Sequence, residues 1–423
     1  MSVKPKVGVI YSSSPHGSLE SRAMAFYLAG NLVGTGYAEV SLISYRADEA
    51  FDDVQALGRT RLCYLNEKRQ KILEVPSADI RYEHMTAIQD CHVLIITVSA
   101  DDVDKCCAKI KEFVQLKKNI VIFSMTRGHH SSSLIKDTLA SSKNIIAIEA
   151  VMGFCVVETS YHASSNKPLP HSTYVPTVPR PQIAMERLSK EIEAAATGPV
   201  NLIECMGIPV LYRRNLSTIY YGNLLYENIY AISVLSKLTV SQTMGKLRYR
   251  LLFAYTMREA CIAMGSASRG NGWMPDMCLV SSFLTPRSLE LLLCLPSPLF
   301  DVFSYLFGIR FSDRLQSPVV SDIQSSRKSN CMNTVKEMIS MGSKYSHDML
   351  LTKKVYEKIC EIEDAGAAYT SLDLARAVAE AEAVVYAGRS VHSSVLSLSF
   401  VALRVLAVTA AACLLYFLVM HEV

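Results

Sequence analysis

The chain has 423 residues, with 43 lysines and arginines against 39 aspartates and glutamates and a formal net charge of +4. That length is enough for two domains with buried cores, and so small a charge argues against a nucleic-acid-binding surface. The twelve cysteines lack the paired Cys-x-x-Cys spacing of a metal site, so we expect no bound metal and interpret them as reduced, mostly buried thiols of a cytosolic protein.

Short apolar, β-branched runs recur through the first 160 residues, at 6–11, 39–45, 92–98, 119–124 and 144–151. Helix-like stretches separate them. This alternation predicts βαβ units on a parallel sheet, and therefore an α/β, Rossmann-like doubly wound domain over 1–162.

A connecting region follows at 163–199. Its first part, 163–181, contains five prolines, which predicts either a linker or irregular edge strands, and 182–196 is typical of a helix.

The remaining soluble part, 200–388, is predicted to be an all-α domain. Apolar residues recur every three to four positions from 215 to 264, which indicates packed helices. The very apolar stretch 283–311 could be a membrane span, but Pro286, Pro296 and Pro298 divide it, so we favour core helices around a kink. A further helical region is expected at 329–363.

The end of the chain has a different character. Residues 400–420 form an apolar run with one charge, Arg404, long enough to cross a bilayer of roughly 30 Å. The sequence therefore predicts a transmembrane tail anchor, with a membrane as partner and the rest of the chain on the cytosolic face of an intracellular membrane. A buried or amphipathic C-terminal helix is the alternative.

The loop after the first predicted strand carries a modified phosphate-binding pattern. If Gly17 is the last glycine of Gly-x-Gly-x-x-Gly, then Ser12 and Ser14 occupy the first two glycine positions. Serine hydroxyls can donate to phosphate oxygens, and the following helix offers free N–H groups to an anion. A simple strand-to-helix turn with a serine cap explains the same residues equally well.

The second predicted strand ends in Arg46, with no carboxylate before it. A carboxylate in this place would accept from the ribose hydroxyls of NAD, whereas a guanidinium would pair with the 2′-phosphate of NADP. This position favours NADP, although an exposed arginine without a ligand would look the same in the sequence.

The layout resembles that of the ketopantoate reductases (2-dehydropantoate 2-reductases). The resemblance is carried by "HVLIITVSADDVDKCCAKI" at 92–110, "NIVIFSMTRGHH" at 119–130 and, most closely, the region 317–363 that begins "SPVVSDIQSSRKSN". It implies a Rossmann domain followed by a 6-phosphogluconate-dehydrogenase-like helical domain. It also implies hydride transfer from NADPH to a small 2-oxo acid, with a lysine as general acid.

The family's catalytic lysine has no lysine counterpart in this chain. Laying "NLLYENIYAI", 223–232, on the family's asparagine-rich helix matches Asn223 and puts Ile219 at the lysine position. Laying "LYRRN", 211–215, on the family's Trp-x-Lys turn puts Arg214 there instead. Arginine can stabilise a developing alkoxide, but it is a poor proton donor at neutral pH.

Other family positions are partly kept. Ser317 falls near the substrate-holding serine, and Asp322 and Arg327 are present, but Asn330 replaces the glutamate eight residues after the aspartate. Such an amide can orient a hydroxyl without forming a charge pair.

In the first domain Ser99 replaces a lysine that the resemblance assigns to cofactor binding. Arg127-Gly128 replaces an Asn-Gly turn.

Three hypotheses follow. In the first, an NADP-dependent 2-oxo acid reductase uses Arg214, Asn223 and Asn330 in catalysis and Ser317, Asp322 and Arg327 in substrate binding, and Arg127 or Arg327 meets the substrate carboxylate. In the second, a catalytically impaired, membrane-anchored protein binds NADP or recruits a partner. In the third, the chain is another β-hydroxy-acid dehydrogenase of the same superfamily. A homodimer is compatible with all three.

Overall fold

The computed structural model describes residues 4–12, 19–45, 59–65, 70–76, 79–114, 120–140, 142, 144–161, 168–178, 181–236, 238–267, 274–281, 284–306, 317–324 and 331–365. Within these ranges the chain forms two sheets and a helical domain. The described cysteines are free thiols.

An eight-stranded sheet organises the first domain, in the order β12-β11-β8-β7-β6-β1-β2-β5. Neighbouring strands are parallel except for the pair β8 and β11. The part β5-β2-β1-β6-β7-β8 has the Rossmann strand order, which reverses direction between β1 and β6. Its strands are β1 (Lys6–Tyr11), β2 (Glu39–Ser44), β5 (Ile80–Glu83), β6 (Val93–Ile96), β7 (Ile120–Ser124), β8 (Ile145–Met152), β11 (Ile183–Glu186) and β12 (Val210–Arg213).

The five predicted strands are confirmed as β1, β2, β6, β7 and β8. Their near-continuous apolar sequences arise because helices cover both faces of the parallel sheet. Helix α1 (Leu19–Thr35) packs on one face, and α2 (Val103–Val114) and α3 (His129–Ala140) pack on the other.

A second, four-stranded sheet has the order β4-β3-β10-β9, built from β3 (Arg59–Leu65), β4 (Gln70–Pro76), β9 (Val156–Tyr161) and β10 (Pro168–Pro176). The proline-rich segment thus supplies β10, which lies inside this sheet. The predicted linker or edge strand was therefore wrong. A register shift between Pro168 and Thr173 interrupts the pairing of β10 with β9, at the point where Pro170 cannot donate a backbone hydrogen bond.

The predicted helix at 182–196 was also wrong in its first half. Residues 183–186 form β11, which pairs with both β8 and β12, and α4 (Lys190–Cys205) begins only after Ser189. The large sheet therefore continues to Arg213, beyond the predicted domain end at 162.

The second domain is helical and surrounds α5 (Leu216–Val234), which is apolar and buried along nearly its whole length. Asn215 caps this helix by accepting from the Ser217 backbone N–H at 3.0 Å. The other helices are α6 (Val240–Gly245), α7 (Leu247–Ala267), α8 (Pro286–Leu293), α9 (Ser297–Leu306), α10 (Pro318–Gln324), α11 (Cys331–Lys344) and α12 (Leu350–Ala365).

The apolar stretch 283–311 contains α8 and α9, which are separated at Pro296, as the kinked-helix interpretation predicts. Arg250 of α7 is fully buried at this corner. It donates to the carbonyls of Met244, Leu293 and Leu295 at 2.7 to 3.1 Å and lies 4.2 Å from the ring centroid of Phe300. These neutral acceptors join α6, α7, α8 and α9.

No helix within the described ranges is both long and apolar enough to span a bilayer. The predicted tail at 400–420 lies outside the described residues.

Gly222 provides a test of the packing around α5. A Cβ atom on Gly222 would lie 2.0 Å from the carbonyl oxygen of Asp276, in a segment that is bonded to α5 through Asp276 N–H and Thr218 O at 2.9 Å. We expect Gly222→Ala to lower the free energy of unfolding by ~1–3 kcal/mol or more, because the segment must move away. Urea unfolding measures this.

The matched control is Gly265→Ala in α7, where a Cβ atom meets nothing within 4 Å. It should raise the free energy of unfolding by up to about 1 kcal/mol, because alanine favours helices over glycine. Equal effects of the two substitutions would contradict the close approach at Gly222.

Candidate functional site

The carboxyl ends of the central strands meet α5 at the junction of the two domains. Asn223 of α5 donates from Nδ2 to the carbonyl of Met152, at the end of β8, at 3.2 Å. One turn earlier, the Tyr220 hydroxyl donates to the carbonyl of Ala150 at 3.4 Å. In α/β proteins ligands bind at this edge of the sheet.

Arg127, which follows β7, is the charged centre of this junction. Its Nε donates to Glu20 Oε1 at the start of α1, and its Nη1 donates to Glu227 Oε1 of α5. Its Nη2 reaches the carbonyl of Phe154 at 2.9 Å and the Cys155 sulfur at 2.6 Å. All three charged side chains are almost completely buried, so the guanidinium bridges the domains away from water.

One cation faces two buried carboxyl groups in this cluster. A buried net negative charge is costly, so one carboxyl group is expected to keep its proton. Burial raises the pKa of Glu227 to about 7, while Arg127 opposes the shift and Glu20 adds to it. Glu227 therefore titrates near neutral pH, which is typical of active-site carboxyl groups.

Asn223 and Glu227 are one helical turn apart on α5, and Asn223 Nδ2 donates to Glu227 Oε1 at 2.6 Å. A further turn back, Ile219 is fully buried in an apolar cluster with Leu216 and Leu279. The alignment that matches Asn223 thus places an apolar side chain at the lysine position, and the first acidic residue further along α5 is Glu227.

A second contact across the junction lies at the start of α3. Glu337 of α11 accepts from the backbone N–H of His130 at 3.2 Å, where the positive end of α3 favours a carboxylate. Gly128 permits this approach, because it has φ +86° and its Cβ would lie 2.8 Å from Glu337 Oε2. His129 bonds Ser217 of α5 at 3.0 Å, and burial lowers the pKa of its imidazole.

Ser12 and Ser99, two predicted cofactor residues, lie together where the strand order reverses. The Ser99 backbone N–H donates to Ser12 Oγ at 3.2 Å, and Ser12 Oγ donates to Asp102 Oδ2 at 2.7 Å. The buried hydroxyl of Ser99 has no hydrogen-bond partner among the described residues. A buried orphan hydroxyl at this point fits a nucleotide that would supply its partner, whereas the Asp102 carboxylate next to Ser12 would repel a phosphate.

The other predicted residues are less closely associated. Arg214 is exposed before α5, and no hydrogen bond or ion pair of the described chain joins it to the Arg127 cluster. The Ser317 hydroxyl is buried and donates to the Tyr230 carbonyl at 3.0 Å, one turn of α5 beyond Glu227. Asp322 lies in α10. The predicted residues outside the described ranges are Ser14, Gly17, Arg46, Arg327 and Asn330.

Sequence reasoning missed Glu20 and Glu227. A sequence signal for Glu227 exists, because it is the only acidic residue in the long apolar segment 215–238 and a buried glutamate requires a cation or a proton. Nothing in the sequence around Glu20 distinguishes it from an ordinary acidic residue in a first helical turn.

A cavity of about 10 Å³ borders Arg127, Asn223 and Glu227, which is room for about one water-sized group. Small-molecule sites are far larger, on the order of 300 Å³ or more. A substrate at this cavity therefore requires the two sides of the junction to move apart.

No protein-family model matches the chain, and no curated protein matches it. Solved structures do. A ketopantoate reductase from Ralstonia eutropha has a TM-score of 0.56 at 16% sequence identity, over 85% of this chain and 99% of its own. D-mandelate dehydrogenase, solved with NADH and anilino(oxo)acetate, has a TM-score of 0.58 at 14% identity, over 84% of this chain and 99% of its own.

A probable 2-dehydropantoate 2-reductase from Bacillus subtilis has a TM-score of 0.51 at 13% identity, over 84% of this chain and 99% of its own. The fold is that of the ketopantoate reductases. Identities this low show the shared two-domain fold, and the activity has to be argued from the site.

The buried guanidinium provides a test of the junction. We expect Arg127→Met to lower the free energy of unfolding by ~3–5 kcal/mol, because two buried carboxyl groups lose their cation. The matched control is Arg258→Met, since Arg258 is 62% exposed and its Nε lies 3.9 Å from Glu290. That change should stay within about 0.5 kcal/mol. Denaturant unfolding measures both.

A triple variant separates lost charge balance from lost packing. Combining Arg127→Met with Glu20→Leu and Glu227→Leu removes all three ionisable groups, and most of the stability should return. A triple variant as unstable as Arg127→Met would contradict the charge explanation.

Proposed function

We propose that this protein is an NADPH-dependent reductase of small 2-oxo acids, similar to 2-dehydropantoate 2-reductase. The observation that carries the proposal is the buried cluster of Arg127, Asn223 and Glu227 at the domain junction. A cation, an amide and a carboxyl group with a pKa near 7 converge there, at the edge of the sheet where such folds bind their ligands.

The cofactor is proposed to lie over the loop Ser12–Gly17 and the start of α1. The orphan hydroxyl of Ser99 supports this position, and Arg46 is proposed to meet the 2′-phosphate of NADP. When bound, the reduced nicotinamide supplies the hydride. D-mandelate dehydrogenase, solved with NADH, has the same fold, which supports a nicotinamide cofactor without choosing between NAD and NADP.

The substrate is proposed to bind between the cofactor and α5. Asn223 would orient the carbonyl group, and Arg127 or Arg327 would meet the carboxylate. Ser317, Asp322 and Asn330 stay candidates from the sequence, as does Arg214 for the oxyanion. The homodimer and the wider alternative of another β-hydroxy-acid dehydrogenase also stay predictions.

A second candidate function is that of a catalytically impaired protein that binds NADP or a partner. Two acidic residues favour it. Asp102 already accepts a hydrogen bond from Ser12, and Glu20 lies at the start of α1. Both anions lie where a phosphate would need positive potential.

Cofactor binding discriminates between these proposals. We expect the full-length protein in detergent to bind NADPH more tightly than NADH. Arg46→Ala should lower the affinity for NADPH by about 10-fold or more, because a charge-assisted pair is lost. Nucleotide fluorescence measures both affinities. Arg81→Ala is the control: Arg81 lies on β5 and pairs with Glu39 at the start of β2, so its loss should leave NADPH binding unchanged.

Turnover is then followed at saturating NADPH with a panel of 2-oxo acids that includes ketopantoate. Oxidation of NADPH by any of them supports the reductase. Binding without oxidation supports the impaired protein, and failure to bind either nucleotide rules out both cofactor-based proposals.

We further propose that residues 400–420 anchor the chain in an intracellular membrane, with the two domains on the cytosolic face. The support is the apolar run itself, with Arg404 close to its beginning.

Charged residues introduced into the middle of this apolar run should release the protein from the membrane. We expect Ala410→Arg combined with Leu414→Arg to move the chain into the soluble fraction, because each arginine costs roughly 2.5–3.5 kcal/mol near the centre of a span. Carbonate extraction of membranes from expressing cells measures this. His421→Arg, placed just after the run, should stay in the membrane fraction, and an unchanged double variant would contradict the anchor.

A further inference from the structure

We propose that Glu227 delivers the proton to the carbonyl oxygen of the substrate, in the role that a lysine fills in the reductases this chain resembles. The inference rests on the proposed reductase function and assigns its acid to a carboxyl group of α5.

The two oxygens of Glu227 have different surroundings. Oε1 accepts from both Arg127 Nη1 and Asn223 Nδ2. Within the described ranges no group donates to Oε2, and the Glu227 side chain borders the junction cavity. Two donors already occupy Oε1, so the acidic proton belongs on Oε2, the oxygen left to meet a ligand.

The charges around Glu227 favour its neutral form. Within the described ranges, the ionisable groups around this cluster are Glu20 from α1, Arg127 after β7, Cys155 before β9, and Tyr226 and Tyr230 on α5 itself. Arg127 is the cation among these described groups, and it pairs with Glu20 as well as with Glu227. Burial therefore raises the pKa of Glu227 to about 7, where a general acid works best at neutral pH.

Neither of the two residues that align with the family's lysine supplies this proton. Ile219 has no acidic proton, and the exposed Arg214 is joined to the Arg127 cluster by no hydrogen bond or ion pair of the described chain. Glu227 lies two turns beyond Ile219 on α5, with Asn223 between them.

The reduction of the carbonyl group conserves atoms and electrons. The carbonyl carbon gains a hydride from the reduced nicotinamide, and the electron pair of the C=O π bond moves to oxygen. That oxygen forms an O–H bond as the O–H bond of Glu227 breaks, so the products are a 2-hydroxy acid and the oxidised nicotinamide. Arg127 and Asn223 stabilise the carboxylate that forms, and a solvent proton restores it.

Glu227→Gln tests the step, because the amide keeps an acceptor for Arg127 and Asn223 but has no acidic proton. We expect NADPH affinity to stay unchanged and kcat to fall at least 100-fold, which is the lower end of general-acid contributions. In the wild type kcat should fall tenfold for each pH unit above about 7. In Glu227→Gln this decrease should be absent.

The control is Glu290→Gln in α8. Burial also raises the pKa of this carboxyl group, but Glu290 pairs with Arg258 in the second domain, away from the junction. Both kcat and its pH profile should match the wild type.

A second readout needs neither cofactor nor turnover. The folded-state pKa of Glu227 lies above its unfolded value, so the stabilisation is full at low pH and is lost as pH rises through about 7. From pH 5 to pH 8 this group should raise the unfolding equilibrium constant by on the order of 50-fold. In urea unfolding, the increase of the unfolding equilibrium constant from pH 5 to pH 8 should be smaller by this factor in Glu227→Gln than in the wild type. Glu290→Gln should keep the part of the pH dependence that comes from Glu227.

The outcomes separate the two proposals. A wild type without turnover on any 2-oxo acid overturns the reductase function, and with it this step. Turnover in which Glu227→Gln keeps the wild-type kcat and pH profile overturns only the role of Glu227. A pH-dependent difference in unfolding together with loss of kcat supports it.

Discussion

The ion cluster of Arg127, Glu20 and Glu227 determines how the two halves of this protein meet. A single guanidinium after β7 joins the first helix of the sheet domain to the central helix of the helical domain. Because the cluster is buried, its charge has to balance internally. Arg127 and Asn223 tie α5 to the sheet domain, and burial raises the pKa of Glu227 to about 7.

Much of the architecture could be predicted from the sequence, because the central strands are buried on both faces and therefore read as continuous apolar runs. The helical second domain could be predicted because its apolar residues recur every three to four positions. The errors fell on β10 and β11, where proline and a short mixed sequence gave weak local signals and pairing with distant strands decided the structure. Tertiary partners of this kind cannot be predicted from a local sequence pattern.

The site was predicted only in part for a similar reason. Asn223 and Arg127 were identified through the family resemblance, and Ser12 and Ser99 do lie together. Glu20 and Glu227 are more than 200 positions apart in the sequence, and only folding brings both of them to Arg127. The charge balance that gives Glu227 its unusual pKa is a property of that meeting point and of no single segment.

Arg250, another buried arginine of the described residues, differs from Arg127 in its partners. Its guanidinium is held by backbone carbonyls and the face of Phe300, none of which gains or loses a proton. The corner of α6, α7, α8 and α9 therefore keeps the same bonds in mildly acidic and mildly alkaline solution. A change of pH near neutrality therefore acts on the Arg127 junction, where Glu227 has a pKa of about 7, and leaves the bonds of this corner as they are.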